Sequence, residues 1–276
     1  MLLLVLTSPT AEDRGDVVIL ASTIGPIDAG IVSVLEDRFE QETGIRVRHV
    51  GAGTAEALRI AQGGSVDLVL AHAKVLEERF VEDGFGTERI AFMYNDFVLV
   101  GPAADPAGVR AARSPAEALR AIAGRSAPFI TRGDRSGTHV AEVELWAKAG
   151  LKPAAPWYVV YERGSEGNAA TLRFTDERQA YTVIDRATWL SLEDRLSLVV
   201  LLQNDAALLN RITLIPVSPR KFPEVNHRGA MAFARWLTSP DKGQKIVEGF
   251  GVEKYGAQMF FPDSREWRSA HEKPTP

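Results

Sequence analysis

The chain has 276 residues, 45% of them apolar and 25% charged, the balance of a folded globular protein rather than a disordered one. Its formal net charge of -4 argues against a bulk polyanion binder, because a nucleic-acid footprint needs a basic face. With 0 Cys there is no disulfide framework, thiolate zinc site or cysteine nucleophile, so any anion site has to come from local geometry.

The chain opens on an apolar run, Met1 to Leu6, followed by Thr7-Ser8-Pro9-Thr10-Ala11. The run is too short to span a bilayer and lacks a basic n-region. Residues 1–15 read either as a signal-peptide remnant or as a frayed apolar end. From Val17 onward strand and helix patterns alternate. Val17 to Leu20 is a β-branched run that ends in the turn chemistry of Ser22 to Pro26. Ile31, Val34, Leu35 and Phe39 are spaced for one helix over 28–42, stopped by Gly44. Strands follow at 45–50 and 67–70, with helices at 55–62 and 74–83. This alternation predicts βαβ units and a mostly parallel sheet.

Met93 to Pro102 is a long extended segment with a polar break at Tyr94-Asn95-Asp96, suited to a crossing between lobes. Beyond it the pattern predicts helices at 115–123, 168–177 and 185–191, and one that the segment Thr131 to His139 leads into and that runs to Ala149. Strands are predicted at 129–130, 157–161, 181–184, 198–201 and 213–217, and a long amphipathic helix from Phe222 through Trp236. The economical arrangement is two α/β lobes joined by two crossings. Residues 16–100 with 212–276 form a discontinuous first lobe, and residues 101–211 form the second.

Four segments place Gly, Ser or Thr at a strand end just before a helix: Ser22-Thr23-Ile24-Gly25, Gly51-Ala52-Gly53-Thr54, Arg132 to Thr138, and Thr182 to Arg186. The first turn of a helix carries backbone N–H groups without internal partners, at the positive end of the helix dipole. Each segment is therefore a candidate anion cradle. Ser and Thr also cap ordinary helices at such positions, but four in one chain, two per lobe, point to a shared cleft. Ligands of open α/β sheets sit outside the carboxyl ends of the strands. Arg132 and Arg186 can add planar guanidinium contacts. The competing reading of Arg132 is a pair with Asp134, and that of Arg186 is a structural ion pair.

Gly51-x-Gly53 lacks the third glycine of a dinucleotide fingerprint, since Glu56 stands in its place. Ser136 lies in Gly-Asp-Arg-Ser-Gly rather than a nucleophile elbow. No residue is assigned a catalytic or metal-binding role, and no cofactor is implied.

Taken together, Val50-Gly51-Ala52-Gly53-Thr54, Met93-Tyr94-Asn95-Asp96-Phe97, Arg132-Gly133-Asp134 with Ser136-Gly137-Thr138-His139, Gln179-Ala180-Tyr181-Thr182, Asp185-Arg186 and Phe260-Phe261-Pro262-Asp263 resemble the periplasmic tungstate-binding components of ABC transporters, a branch of the type II solute-binding proteins. The resemblance spans about Val17 to Pro262. It implies export to the periplasm and two α/β lobes joined by a two-segment hinge. It also implies a small oxyanion held between the lobes by hinge closure, a monomer, and a membrane permease and ATPase as partners, with no nucleic acid. By position it makes Ser22, Thr23, Thr54, Arg132, Ser136 and Arg186 ligand contacts. Ile24, Gly25, Gly53, Gly137, Thr138 and Asp185 complete the candidate site.

The sequence departs from that pattern in its first loop. Ile24 and Gly25 stand at hydroxyl positions, Ile27 replaces an amide, and Arg135 stands where an acid is usual. These departures keep a second ligand class in view, a small carboxylate with an apolar body. An enzyme of the same shape and a ligand-sensing module are the further alternatives.

Overall fold

A computed structural model describes residues 17–271; the signal-remnant reading of residues 1–15 falls outside them. In chain order the elements are β1 (Val17–Thr23), α1 (Ile24–Ala29), α2 (Ile31–Thr43), β2 (Arg46–Ala52), α3 (Thr54–Ala61), β3 (Leu68–Ala71), α4 (Lys74–Glu82), β4 (Ile90–Pro102), α5 (Pro115–Gly124), β5 (Phe129–Thr131) and α6 (Gly137–Lys148). There follow β6 (Tyr158–Val160), α7 (Asn168–Glu177), β7 (Thr182–Asp185), α8 (Arg186–Leu192), β8 (Leu198–Leu202), β9 (Leu209–Pro216), α9 (His227–Thr238), α10 (Gly243–Gly249), α11 (Val252–Tyr255), β10 (Phe261–Pro262) and α12 (Arg265–His271). None of the described helices is long and apolar enough to cross a membrane.

The chain divides into two compact units. Of the described residues, one unit comprises 17–93, Ile212–Glu248 and 262–271; the other comprises Tyr94–Arg211 and Gly249–Phe261. The expected crossing near Val100 therefore lies further back, at Met93 and Tyr94. The reason is that β4 is one unbroken strand despite its polar triplet, and its second half pairs with β7 and β8. The last quarter also returns once to the second unit. Tyr94 stacks on Phe261 at 5.0 Å, and the Phe250 and Phe260 rings lie 6.0 Å apart.

In the first unit β1 runs parallel to both β2 and β3, and β3 is antiparallel to β9. Central β1 buries Val18, Leu20 and Ala21, as a parallel strand covered on both faces does. Its register places Ser22 opposite Gly51 and Thr23 opposite Ala52, so two strands end side by side where α1 and α3 begin. The single helix expected over 28–42 is two helices. Gly30 adopts a left-handed backbone (φ 88) between α1 and α2, a conformation that glycine takes without steric cost. The helix expected from Phe222 starts five residues later, because the Asn226 side chain accepts a hydrogen bond from Gly229 N and caps α9.

In the second unit β4 pairs antiparallel with β7, Phe97 opposite Asp185, and also with β8. β5 and β6 form a separate parallel pair. Phe129, Trp146, Tyr181 and Leu119 fill the core beneath them. Phe129 and Trp146 meet edge to face at 5.1 Å, a favoured aromatic geometry.

Candidate functional site

The first unit presents the ends of β1 and β2. Ser22 and Thr23 are fully buried, Thr54 is buried, and Ile24 is 45% exposed beside them. Thr23 occupies the N-cap position of α1 and Gly53 that of α3, and neither helix start receives a side-chain cap. Ser22 Oγ donates to Thr23 O at 3.2 Å. The hydroxyls of Thr23 and Thr54 are buried and find no hydrogen-bond partner. This is unusual, since a buried hydroxyl left unpaired costs about 1–3 kcal/mol. Gly51 is constrained by its surroundings: a β-carbon there would lie 3.1 Å from Ile27 Cδ1 and 3.2 Å from Ile24 Cδ1. Both isoleucines thus reach over the end of β2.

The second unit treats its helix starts differently. Ser136 caps α6 by accepting from His139 N at 3.4 Å, and Asp185 caps α8 by accepting from Thr188 N at 2.8 Å. Capping by the protein's own side chains is thus realised at α6 and α8 and not at α1 and α3. His139 Nδ1 accepts from Arg135 N at 2.9 Å. Ser136 and His139 are consequently linked through a helix cap rather than as a nucleophile and its base. Burial disfavours the charged form of His139, and Arg132 and Arg135 add to this; Asp134 opposes them but does not prevail, so its pKa is lowered. Thr182 Oγ1 donates to Ile130 O at 2.8 Å, joining β7 to β5.

Arg132 follows β5 and is anchored on three sides. Its Nη1 donates to Asn168 Oδ1, and its Nη2 donates to Asp134 Oδ2 at 2.5 Å and to Gly164 O at 3.1 Å. Its Nε is buried without a partner. The loop can wrap in this way because Gly133 takes φ 68 and because Gly164 approaches so closely that a β-carbon on it would lie 2.0 Å from Arg132 O. Burial acts to raise the pKa of Asp134, but hydrogen bonds from the Ser136 hydroxyl and N–H and the Arg132 guanidinium outweigh it and hold the carboxyl below its usual range.

Asn168, the first residue of α7, went unnoticed in the sequence. Its Nδ2 donates to Thr138 Oγ1 at 3.1 Å and to Asp185 Oδ2 at 2.5 Å, while its Oδ1 accepts from Arg132. One amide therefore ties together the segments that begin α6, α7 and α8. The only sequence cue was its position directly after Gly167, whose φ of 101 admits little but glycine.

Arg186 is gripped by Asp96. Nε donates to Oδ1 at 2.7 Å and Nη2 to Oδ2 at 2.5 Å, and Nη1 donates to Gln203 Oε1 at 2.8 Å. The ion pair considered for Arg186 exists, with Asp96 of β4 as the partner rather than the adjacent Asp185. Both edges of the Arg186 guanidinium are thus engaged.

Among the described residues four buried side-chain polar atoms lack a partner. Three are Thr23 Oγ1, Thr54 Oγ1 and Arg132 Nε; the fourth is Glu36 Oε1, on α2. No group of three His, Asp or Glu among the described residues is placed to hold a metal ion.

A family described as a PBP superfamily domain matches residues 8–241. The chain is 41% identical over 249 residues to the tungstate-binding protein TupA of Peptoclostridium acidaminophilum, covering 90% of this chain and 86% of that protein. The solved structure of the tungstate-binding protein TupA from Desulfovibrio alaskensis G20 superposes with a TM-score of 0.81 at 36% identity, over 90% of this chain and 99% of that one. The tungstate ABC transporter structure from Geobacter sulfurreducens gives a TM-score of 0.74 at 39% identity, over 85% and 99%.

Proposed function

The chain belongs to the PBP superfamily of binding domains, and on that premise we propose that it is the extracytoplasmic solute-binding protein of an ABC uptake system, capturing a small tetrahedral oxyanion of the tungstate or molybdate type. The observation that carries this reading is the set of buried polar atoms without partners. Thr23 Oγ1, Thr54 Oγ1 and Arg132 Nε all belong to strand-end segments that the sequence marks as anion cradles. Each is a donor, and an oxyanion offers only acceptors. The uncapped starts of α1 and α3 add backbone N–H groups of the same polarity. The names of the relatives point the same way.

In this proposal Ser22, Thr23, Gly53 and Thr54 serve the anion from the first unit, and Arg132, Ser136, Gly137 and Thr138 serve it from the second. Hinge closure on the bound anion is the capture step, and a permease with its ATPase reads the closed form. Asp185 and Arg186 act indirectly, by capping α8 and by holding Asp96. The role is binding rather than catalysis.

Titration calorimetry with tungstate, molybdate and sulfate tests this, with saturable, stoichiometric binding of at least one of them as the expected result. No heat with any of the three refutes it. One observation favours a second ligand class. Ile24, which follows Thr23 in the chain, is half exposed, and it presents apolar surface where a tetrahedral anion would gain another donor. A small carboxylate with an apolar body suits that surface. Benzoate in the same titration separates the two, since binding of benzoate without tungstate would assign the site to carboxylates.

A further inference from the structure

The groups in the second unit best suited to hold an anion already hold one, supplied by the chain itself. Asp134 Oδ2 accepts from Arg132 Nη2 at 2.5 Å, and Asp134 Oδ1 accepts from the backbone N–H of Ser136, the N-cap of α6, at 3.1 Å. The pair is well shielded, with the side chains of Arg132 and Asp134 only 11% and 15% exposed. The remaining Arg132 donors go to Asn168 and Gly164, leaving Nε. Formal charge follows the same pattern. Of the ionic groups joined by hydrogen bonds in this cluster, Arg132 is basic, while Asp134 and Asp185 are acidic. A bound anion is thus met by a guanidinium that a carboxylate has already neutralised.

We propose that Asp134 is a specificity-determining residue whose carboxylate competes with the ligand for Arg132 and the α6 N-terminus and so sets how much ligand charge the site accepts. This rests on the oxyanion reading above and deepens it. A fixed charge acts on a ligand in proportion to the ligand's own charge, and its effect is strong where water is scarce. Asp134 therefore penalises a dianion twice as much, in free energy, as a monoanion of the same shape. Removing the charge while keeping the side-chain shape relieves that penalty in the same proportion.

The test is titration calorimetry of the full chain and of its Asp134→Asn variant with tungstate, a tetrahedral dianion, and perrhenate, a tetrahedral monoanion of similar size. The expected result is tighter binding of both by the variant, at least tenfold for tungstate and about threefold for perrhenate. Asp134→Glu, which keeps the charge, guards against a mere fold defect and should shift the tungstate-to-perrhenate ratio less than Asn does. Weaker binding of both ions by Asp134→Asn would make Asp134 a brace for Arg132 and overturn the proposal, as would equal affinities for the variant and the parent. If the parent chain binds neither ion, the oxyanion reading falls and this proposal with it.

Discussion

Replacing Thr23 by Val should raise the stability of the ligand-free protein and weaken its binding together. The two side chains are nearly isosteric, and Thr23 is 1% exposed at the end of β1 with an extended backbone that suits either residue. Its Oγ1 has no partner. In the free protein that hydroxyl carries a desolvation cost of about 1–3 kcal/mol. Valine removes most of it, and for a domain of this size each kcal/mol moves the melting temperature by about 2–4 °C. In the complex the same hydroxyl would donate to a charged oxygen, a bond worth about 1.5–3 kcal/mol. Its loss weakens affinity by about 10- to 150-fold. Thermal melts of the free protein, paired with calorimetric titration of tungstate, read both quantities on one preparation. A variant that melts lower and binds as tightly as the parent would refute the reasoning, because Thr23 Oγ1 would then be neither an unsatisfied group nor a ligand donor. The opposite signs are what identify a site residue, since stability given up for function is recovered when the function is removed.

Arg132→Lys keeps the charge but cannot satisfy Asn168, Asp134 and Gly164 while also presenting an Nε donor; tungstate affinity measured by calorimetry should fall at least tenfold. Gly164→Ala places a methyl group 2.0 Å from Arg132 O, so the loop must move. Thermal denaturation should show a loss of several kcal/mol, of the order seen for severe overpacking, and tungstate binding should weaken with it. Glu142 is buried on α6 and accepts from Thr131 Oγ1, Trp146 Nε1 and Tyr158 OH. Burial pushes its carboxyl up to about 7, against the pull of those three donors. The folded state thus binds this proton more tightly than the unfolded chain does. The associated stability is complete below about pH 4.5 and is lost as pH rises through about 7, a change of about 3 kcal/mol. Glu142→Gln removes that dependence. The difference in melting temperature between parent and variant, followed from pH 5 to 8, should swing in favour of the variant as pH rises.

Most of the local pattern in the chain was legible in its sequence. The helix at 168–177 was readable to the residue. The four strand-end segments were found because glycine and hydroxyl residues mark a strand-to-helix turn. What escaped was set by partners remote in sequence or by single backbone angles. Arg186 meets Asp96 across 90 residues and Arg132 meets Asn168 across 36. No local spacing encodes either contact; both follow from β4 pairing with β7 and from α7 being placed beside β5. Gly30 was passed over because the apolar residues on both sides keep helical spacing, so the break shows only in its φ. The sequence placed Thr23 and Ser136 in one class of hydroxyl. Only coordinates separate them, since Ser136 caps its helix and Thr23 does not.

That separation bears on how an anion would be held. The first unit offers two hydroxyls and two uncapped helix starts. Two hydrogen bonds to a charged ligand amount to about 3–6 kcal/mol, and each helix end adds about 0.3–1 kcal/mol where it is exposed. Micromolar binding requires about 8.2 kcal/mol net, after about 4–15 kcal/mol of lost translational and rotational freedom. The first unit alone therefore falls short. The second unit, with its guanidinium already paired to Asp134 and the starts of α6 and α8 already capped, has less to offer on its own. Under the oxyanion proposal, micromolar affinity demands both sets of donors and the exclusion of water, which strengthens every one of these contacts.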